Sequence, residues 1–239
     1  PKLPMGAAYT RHVLGRCQRV TTLTSALYDA AVRIGVDRRK LSVIPNGVDI
    51  GEFYPAPESE RASVILFVGF LIERKGVKFL LEAAAQVIAR HPEYRVVLLG
   101  EGPEEQALRE QAAHLGIDHA VEFAGFQPQR AVRDWMRRAR IFVLPSVEEG
   151  QGVVLLEALA SGTPVVGSDV DGIAEVITSE VGRLFPVGDA AALAGHLLEL
   201  IENASLRRQL GEAARRRAEA EYDWDRLAKA YIALYEQVL

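Results

Sequence analysis

Cysteine is almost absent from the sequence, which has 239 residues and a single thiol, at Cys17. One cysteine excludes an intrachain disulfide and also excludes a zinc site built from several thiolates. The five histidines are scattered along the chain. Proteins that depend on disulfides or on a cysteine-ligated metal are therefore excluded.

Excess positive charge and long apolar runs are also missing. The net charge of -4 argues against a nucleic-acid-binding protein that relies on bulk positive charge. No apolar run approaches the roughly 18 residues that cross a bilayer, and the first residues lack the basic-then-apolar pattern of a signal peptide. The sequence predicts a cytoplasmic protein that does not bind nucleic acid.

Short apolar runs alternate with longer stretches of helical periodicity. The run 64–69 is apolar throughout and stops at a glycine, which is typical of a strand buried on both faces. The stretch 77–89 then carries apolar residues at helical spacing. Strands separated by helices of this length predict an α/β fold with an open, doubly wound parallel sheet built from βαβ units.

The same reasoning assigns the remaining elements. Strands are predicted at 20–23, 94–99, 121–123, 141–144, 164–167 and 182–186, and helices at 7–18, 104–115, 128–138 and 153–161. Residues 190–239 form a helical region with breaks near 203–205 and 222–224, where Asp223 is expected to cap the last helix. Arginines and glutamates mixed over 207–221 predict a solvent-exposed face.

Four loops that follow consecutive predicted strands hold residues suited to ligand binding, because ligands of open α/β sheets bind outside the carboxyl ends of the strands. The loop 69–76 carries Arg74 and Lys75 between two glycines, and the other loops are 100–103, 125–128 and 145–152. None of them forms a G-x-G-x-x-G or a G-x-x-x-x-G-K-[ST] pattern. Dinucleotide-dependent dehydrogenases and P-loop NTPases therefore lose their main support.

The segment 149–158 is the most informative part of the sequence. Glu149 and Glu157 lie eight positions apart, separated by Gly150, Gly152 and the first turn of an apolar helix. The glycines leave backbone N–H groups free at the positive end of the helix dipole, where anions bind. Glu157 has apolar neighbours and needs a partner, for which a ribose diol is suited. Alternatively, Glu149 only stabilises the helix start and Glu157 faces solvent.

This pattern resembles the E-x7-E motif of retaining glycosyltransferases with the GT-B fold, especially the family called GT4. Further segments resemble motifs of the same family: the Pro-Asn-Gly-Val-Asp turn at 45–49, the loop 69–76, the turns 100–103 and 125–126, and the segments 162–166, 182–186 and 222–224. The resemblance extends from about residue 20 to residue 239.

The resemblance implies that the chain binds a nucleoside-diphosphate sugar for transfer of a hexose with retained configuration, without a metal. By analogy, Lys75 contacts the diphosphate, the backbone around Phe126 reads the base, Glu157 holds the ribose, and Glu149 faces the transferred sugar. Glu149 and Lys75 are the expected catalytic residues. The other residues expected to bind the donor are Gly69, Arg74, Gly100, Gly102, Gly150, Gln151, Gly152 and Val153.

The resemblance also implies a division of the chain. Residues 1–19 are expected to be a remnant of an N-terminal lobe, 20–221 the nucleotide-sugar-binding domain, and 222–239 a helix that crosses back to that lobe. The acceptor site then belongs to a missing lobe or to a partner chain. Alternatives are a stand-alone nucleotide-sugar-binding module, the donor half of a split enzyme, and a sugar-nucleotide epimerase. Arg11, Arg16 and Arg19 leave open an association with the inner face of the membrane.

Overall fold

The structure, a computed structural model, describes residues 4–238. The strands are β1 (Val20–Thr22), β2 (Leu41–Val43), β3 (Ala62–Val68), β4 (Arg95–Leu99), β5 (Val121–Gly125), β6 (Ala139–Leu144), β7 (Val165–Ser168) and β8 (Gly182–Phe185). The α-helices are α1 (Pro4–Arg16), α2 (Ser25–Arg33), α3 (Val77–Arg90), α4 (Glu105–His114), α5 (Gln129–Arg138), α6 (Val153–Ala160), α7 (Asp171–Ala174), α8 (Ala190–Glu202), α9 (Ala204–Arg217) and α10 (Trp224–Glu236).

Six of the strands form one parallel sheet in the order β5-β4-β3-β6-β7-β8. The central strand β3 is buried at four successive positions, Val64 to Phe67, which explains its uninterrupted apolar sequence. Helix α3 packs against α4 and α8, and α6 packs against α5 and α9. The predicted α/β fold with an open parallel sheet is therefore confirmed.

The order of the strands creates a switch point between β3 and β6. From β3 the chain moves outward through β4 to β5, then returns to the other side of β3 and moves outward through β7 to β8. Because crossover connections are right-handed, the helices of the two halves cover opposite faces. At such a switch point the loops at the carboxyl edge lead to opposite faces of the sheet, and ligands of open α/β sheets bind in the crevice there.

The predicted boundaries agree with most of these elements to within about two residues. The C-terminal helical region is interrupted at Asn203 and again by a π-helical turn at Ala218–Tyr222. Asp223 caps α10, as predicted, because its carboxylate accepts a hydrogen bond from the Asp225 N–H at 3.3 Å. Three short elements, α2, β2 and α7, were not predicted.

Strands β1 and β2 pair with each other in a separate parallel sheet and not with the six-stranded one. This small sheet packs with α1 and α2 around its own cluster of buried residues, Ala31, Val36 and Leu41. A contact with the main sheet comes from Glu175, whose carboxylate accepts a hydrogen bond of 2.6 Å from the Ser25 N–H at the start of α2. Residues 4–43 therefore form a small unit beside the main sheet.

The linker 44–61 joins this unit to β3 and lies against the start of α10. The Val48 N–H donates to the Tyr222 carbonyl at 2.8 Å, and the Trp224 N–H donates to the Val48 carbonyl at 3.3 Å. A Cβ atom on Gly47 would lie 2.6 Å from the Trp224 ring, so only glycine allows the linker to pass this close. The beginning of α10 thus fixes one side of the linker.

The prediction that 207–221 is a solvent-exposed face was wrong for part of the segment. Arg207 is 6% exposed, and its guanidinium donates to the Leu200 carbonyl and to the Glu58 carboxylate at 2.8 and 2.7 Å. Arg215 donates to the Phe53 carbonyl at 2.7 Å. Carbonyl groups at helix ends and in loops lack backbone partners, and arginines provide them here.

Candidate functional site

Lys75 and Glu149 meet in the crevice between the β3 and β6 loops. Their Nζ and Oε2 atoms lie 2.5 Å apart, and their side chains are 14% and 11% exposed. Sequence analysis placed both residues at the site from two segments that lie far apart in the chain. The structure brings them into direct contact because β3 and β6 are neighbours.

The two loops are also held together through their backbones. The Val147 N–H donates to the Arg74 carbonyl at 2.8 Å, whereas the Arg74 side chain is exposed. Gly76 has φ +64°, and a Cβ atom there would lie 2.1 Å from the Pro145 carbonyl oxygen. Glycine at this position therefore permits the close approach that sets Lys75 opposite Glu149.

The Glu149 carboxylate has a second partner within its own loop. Its Oε1 atom accepts a hydrogen bond from the Gly150 N–H at 3.1 Å. Gly152, with φ +71°, then precedes Val153, the first residue of α6. The carboxylate thus lies near the positive end of the α6 dipole, where negative charge is stabilised.

Helix α7 supports this loop from the outside. A Cβ atom on Gly172 would lie 2.3 Å from the carbonyl oxygens of both Glu149 and Gly150. The backbone of α7 consequently touches the loop that carries the catalytic candidate.

Glu157 lies on α6 between two cavities and lines both of them. Burial raises the pKa of its carboxyl group from 4.5 to about 7. One cavity, of about 510 Å³, lies towards the linker and is also lined by Val153 and Trp224. The other, of about 370 Å³, lies at the ends of β3 and β4. A carboxyl group in this position can accept hydrogen bonds from a polar ligand, which would stabilise its ionised form.

The 370 Å³ cavity has a largely apolar lining, to which Gly69, Gly100 and Phe126 contribute. The Phe126 ring is 75% exposed, and its N–H donates to the Glu101 carboxylate at 3.2 Å. Such a space suits a flat aromatic group with a polar edge. Gly102, a further predicted donor-binding residue, is not among the lining residues and packs against the backbone of the loop after β3, where a Cβ atom would be 2.2 Å from the Leu71 carbonyl oxygen.

A further cavity of about 420 Å³ opens on the other side of Glu149, between its loop and α2. Arg33 of α2 and Asp171 of α7 line it together with Glu149 and Gly150. Glu149 therefore lies where the main sheet faces the small unit.

Gln151 differs from the other predicted donor-binding residues of this loop. Its side chain is 4% exposed, and its Oε1 atom accepts a hydrogen bond of 2.8 Å from the Asn46 N–H of the linker. It lines a separate cavity with Pro45 and Tyr222. Sequence reasoning missed this contact and also missed Glu101 and Gln129 in the 370 Å³ cavity, because nothing local marks a side chain as facing a cavity.

Within residues 4–238, no three His, Cys, Asp or Glu side chains converge as a metal site requires. Nor does that part of the chain contain a helix of the length and apolarity needed to cross a membrane.

Comparison with known proteins gives matches along nearly the whole chain. A family model described as Glycosyl transferases group 1 matches residues 52–217, and one described as Glycosyltransferase Family 4 matches residues 1–52. A phosphatidyl-myo-inositol mannosyltransferase from Mycobacterium leprae is 38% identical over 202 residues, which are 82% of this chain and 53% of that protein. A D-inositol 3-phosphate glycosyltransferase from Kribbella flavida is 32% identical over 84% of this chain and 52% of that protein. The chain thus spans about half the length of the curated relatives it matches.

Solved structures show the same fold. A sucrose-phosphate synthase from Thermosynechococcus elongatus superposes with a TM-score of 0.87 and 27% identity, over 98% of this chain and 61% of that chain. The Anabaena protein HepE, in complex with UDP-glucose, gives a TM-score of 0.87 with 23% identity, over 98% of this chain and 68% of that chain.

Proposed function

The chain belongs to the group 1 glycosyltransferases, a membership carried by a family match over 52–217, and on this premise we propose that it binds a nucleoside-diphosphate sugar for retaining transfer. The observation that carries the proposal is the Lys75–Glu149 pair at the β3–β6 switch point. Beside it lie a largely apolar cavity and the partly buried Glu157 carboxyl group. A cation, an apolar slot and a carboxyl group match the diphosphate, the base and the ribose of such a donor.

In this proposal the donor lies along the carboxyl edge of the sheet. Its base occupies the 370 Å³ cavity beside Phe126, and its ribose hydroxyls donate to Glu157. Its diphosphate reaches Lys75 and the N–H groups at the start of α6, where the helix dipole favours an anion. The sugar then lies against Glu149, which borders the 420 Å³ cavity.

The ion pair between Lys75 and Glu149 has to rearrange when the donor binds. The diphosphate takes over the Lys75 ammonium, and the Glu149 carboxylate turns towards the sugar. During transfer the sugar becomes oxocarbenium-like, and Glu149 would stabilise that positive charge while Lys75 stabilises the departing diphosphate. We assign Glu149 this electrostatic role in preference to that of a nucleophile.

Named relatives and neighbours support the donor class. The relative named as a phosphatidyl-myo-inositol mannosyltransferase supports a hexosyl group, and the one named as a D-inositol 3-phosphate glycosyltransferase supports glycosyl transfer. HepE, which shares the fold, was crystallised with UDP and with UDP-glucose. A nucleoside-diphosphate hexose is therefore the proposed substrate, and we propose no metal.

The acceptor site is proposed to lie outside the main sheet. The resemblance implies a boundary between two lobes near residue 19, but strands β1 and β2 form a sheet of their own, and we therefore propose that the boundary lies within the linker 44–61. The small unit 4–43 would then belong to the lobe that binds the acceptor. Exposed apolar residues on α10, Ile232 and Tyr235, are available to contact the rest of that lobe.

A calorimetric titration of the 239-residue chain with UDP-, GDP- and ADP-hexoses tests the proposal. We expect at least one donor to bind with Kd below about 1 mM, and we expect Lys75→Ala to weaken that binding. Lys78→Ala is the matched control, because Lys78 is an exposed lysine on the neighbouring α3. If a folded sample binds none of the donors, the proposed function is wrong.

A further inference from the structure

The loop 149–152 and the first part of the linker, residues 44–49, are joined by one buried side chain. Gln151 extends away from the cavities that Glu149 and Glu157 line, and its amide oxygen accepts the Asn46 N–H at 2.8 Å. The two residues lie far apart in the sequence, on opposite sides of β3. This bond therefore connects the proposed sugar-binding loop with the segment that leads to the small unit.

The bond is costly to lose because one of its two partners is buried. Gln151 is among the few buried polar residues of the described chain, and a buried polar group without a partner is destabilising. The other side of the linker is fixed separately, by the exchange of hydrogen bonds between Val48 and the start of α10. Residues 46–48 of the linker are thus held from two directions, and the contact that comes from the loop at the proposed site is the Gln151 bond.

The position of Gln151 within its loop allows a change in the loop to affect the linker. Gly150 and Gly152 flank it, and Gly152 has a positive φ of +71°. The backbone here is intrinsically permissive, whereas the side chain is anchored. A ligand that orders this loop would restrain the anchor, and coupling of this kind is reciprocal.

We propose that Gln151 is a positioning residue that couples occupation of the sugar-binding loop to the conformation of the linker at Asn46. The inference rests on the proposed function, since it takes the ligand of the loop to be a nucleotide sugar. Binding the sugar would hold the small unit in one orientation relative to the main sheet. A nucleoside diphosphate alone, which lacks the sugar, would exert less of this effect.

The first experiment measures amide hydrogen exchange at Asn46 and Val48 without ligand. Gln151→Met keeps a side chain of similar length and removes the acceptor, so exchange at Asn46 should accelerate at least tenfold while exchange at Val48 stays close to wild type. Gln151→Glu keeps an oxygen at this place and should restore protection at Asn46. Asn46→Ala is the control, because it keeps the backbone N–H and should exchange at this position as the wild type does.

The second experiment repeats the measurement with UDP and UDP-glucose, with GDP and GDP-mannose, and with ADP and ADP-glucose. In the wild type, the nucleotide sugar that binds should slow exchange at Asn46 more than its nucleoside diphosphate does. In Gln151→Met that additional slowing should disappear, and affinity for the nucleotide sugar should fall several-fold more than affinity for the nucleoside diphosphate.

The outcomes separate this inference from the proposed function. If a folded wild-type sample binds none of the UDP-, GDP- and ADP-hexoses in calorimetry, the proposed function and the coupling are both wrong. If one binds but Asn46 exchange does not respond in the wild type, the coupling alone is wrong. Equal acceleration at Asn46 and Val48 in Gln151→Met would also overturn it, since that pattern indicates general loosening. If this variant does not fold, the wild-type response to ligand and the Gln151→Glu variant decide the matter.

Discussion

At the scale of single residues, Glu149 is bound on two sides, by the Lys75 ammonium and by the Gly150 N–H. A diphosphate that approaches Lys75 competes with the first of these contacts. Replacing Glu149 should therefore change the affinity for a nucleoside diphosphate and for a nucleotide sugar in different ways, whereas replacing Lys75 should weaken the binding of both.

Glu149→Gln should raise affinity for UDP or GDP by roughly threefold to tenfold, because the phosphate no longer has to displace a charged carboxylate from the Lys75 ammonium. The same variant should weaken the matching nucleotide sugar relative to its nucleoside diphosphate. Lys75→Ala should weaken both ligands alike, by about 1.5–3 kcal/mol. Calorimetry with both ligands measures the difference. Equal loss of both ligands in Glu149→Gln would contradict the assignment of Glu149 to the sugar.

Glu157 should make the stability of the ligand-free chain depend on pH. Burial raises its pKa from 4.5 to about 7, so the carboxyl group is neutral at low pH and becomes an unpaired charge as the pH rises. The stability that depends on the neutral form is complete below about pH 4.5 and is lost as the pH passes through about 7.

The glutamine side chain of the Glu157→Gln variant cannot ionise. The variant should therefore become more stable relative to the wild type as the pH rises. We expect the difference in unfolding free energy between variant and wild type to grow by on the order of 2 kcal/mol from pH 5 to pH 8. Urea denaturation of both proteins at the two pH values measures it. A difference that does not change with pH would show that Glu157 is ionised in both the folded and the unfolded chain.

At the scale of elements, the contact between α7 and the loop after β6 determines where Glu149 is held. Gly172→Ala would place a methyl group 2.3 Å from two carbonyl oxygens of that loop. We expect a loss of about 1–3 kcal/mol of stability, together with weaker binding of the nucleotide sugar. Gly195→Ala is the control, because a Cβ atom there meets nothing within 4 Å and alanine favours the interior of α8. Thermal unfolding compares the two variants, and equal melting temperatures would contradict the tight contact.

Most elements of the main sheet were predictable because their signals are local. Each long strand is a continuous apolar run, and each long helix has a regular apolar face. Strand β2, with three residues, and helix α7, with four, are too short to show a period. Helix α2 does carry a local start signal, because Thr24 is a residue type that caps helices, and in the structure it accepts the Leu27 N–H at 3.3 Å.

The site was predictable only as a set of loops. Consecutive strand ends placed Lys75 and Glu149 at one edge, but the strand order that makes them touch is a long-range property. The bond between Gln151 and Asn46 leaves no trace in either local segment. The burial of Arg207 was missed for the same reason, since its partners are carbonyl groups and a glutamate from other parts of the chain.

At the scale of the whole molecule, the two sheets should differ in stability. The small sheet has two strands of three residues and packs around a cluster of three buried residues. A sheet of only two strands is marginally stable by itself. We expect amides of β1 and β2 to open at a free energy at least about 2 kcal/mol lower than those of β3 and β6. Native-state hydrogen exchange measures this difference. Equal protection in both sheets would show that they unfold as one unit.

The switch point has a consequence for how the molecule assembles. Strands β3, β4 and β5 are joined by crossovers that each contain one long helix, and β6 and β7 are joined in the same way. We expect β3 to pair with β6 later than with β4, because two strands and the helices α3 to α5 intervene and closing a longer loop is slower. Lys75 belongs to the first half and Glu149 to the second. The crevice therefore does not exist in either half alone and forms when β3 pairs with β6. A ligand bound in it would contact both halves and stabilise the pairing of these two strands.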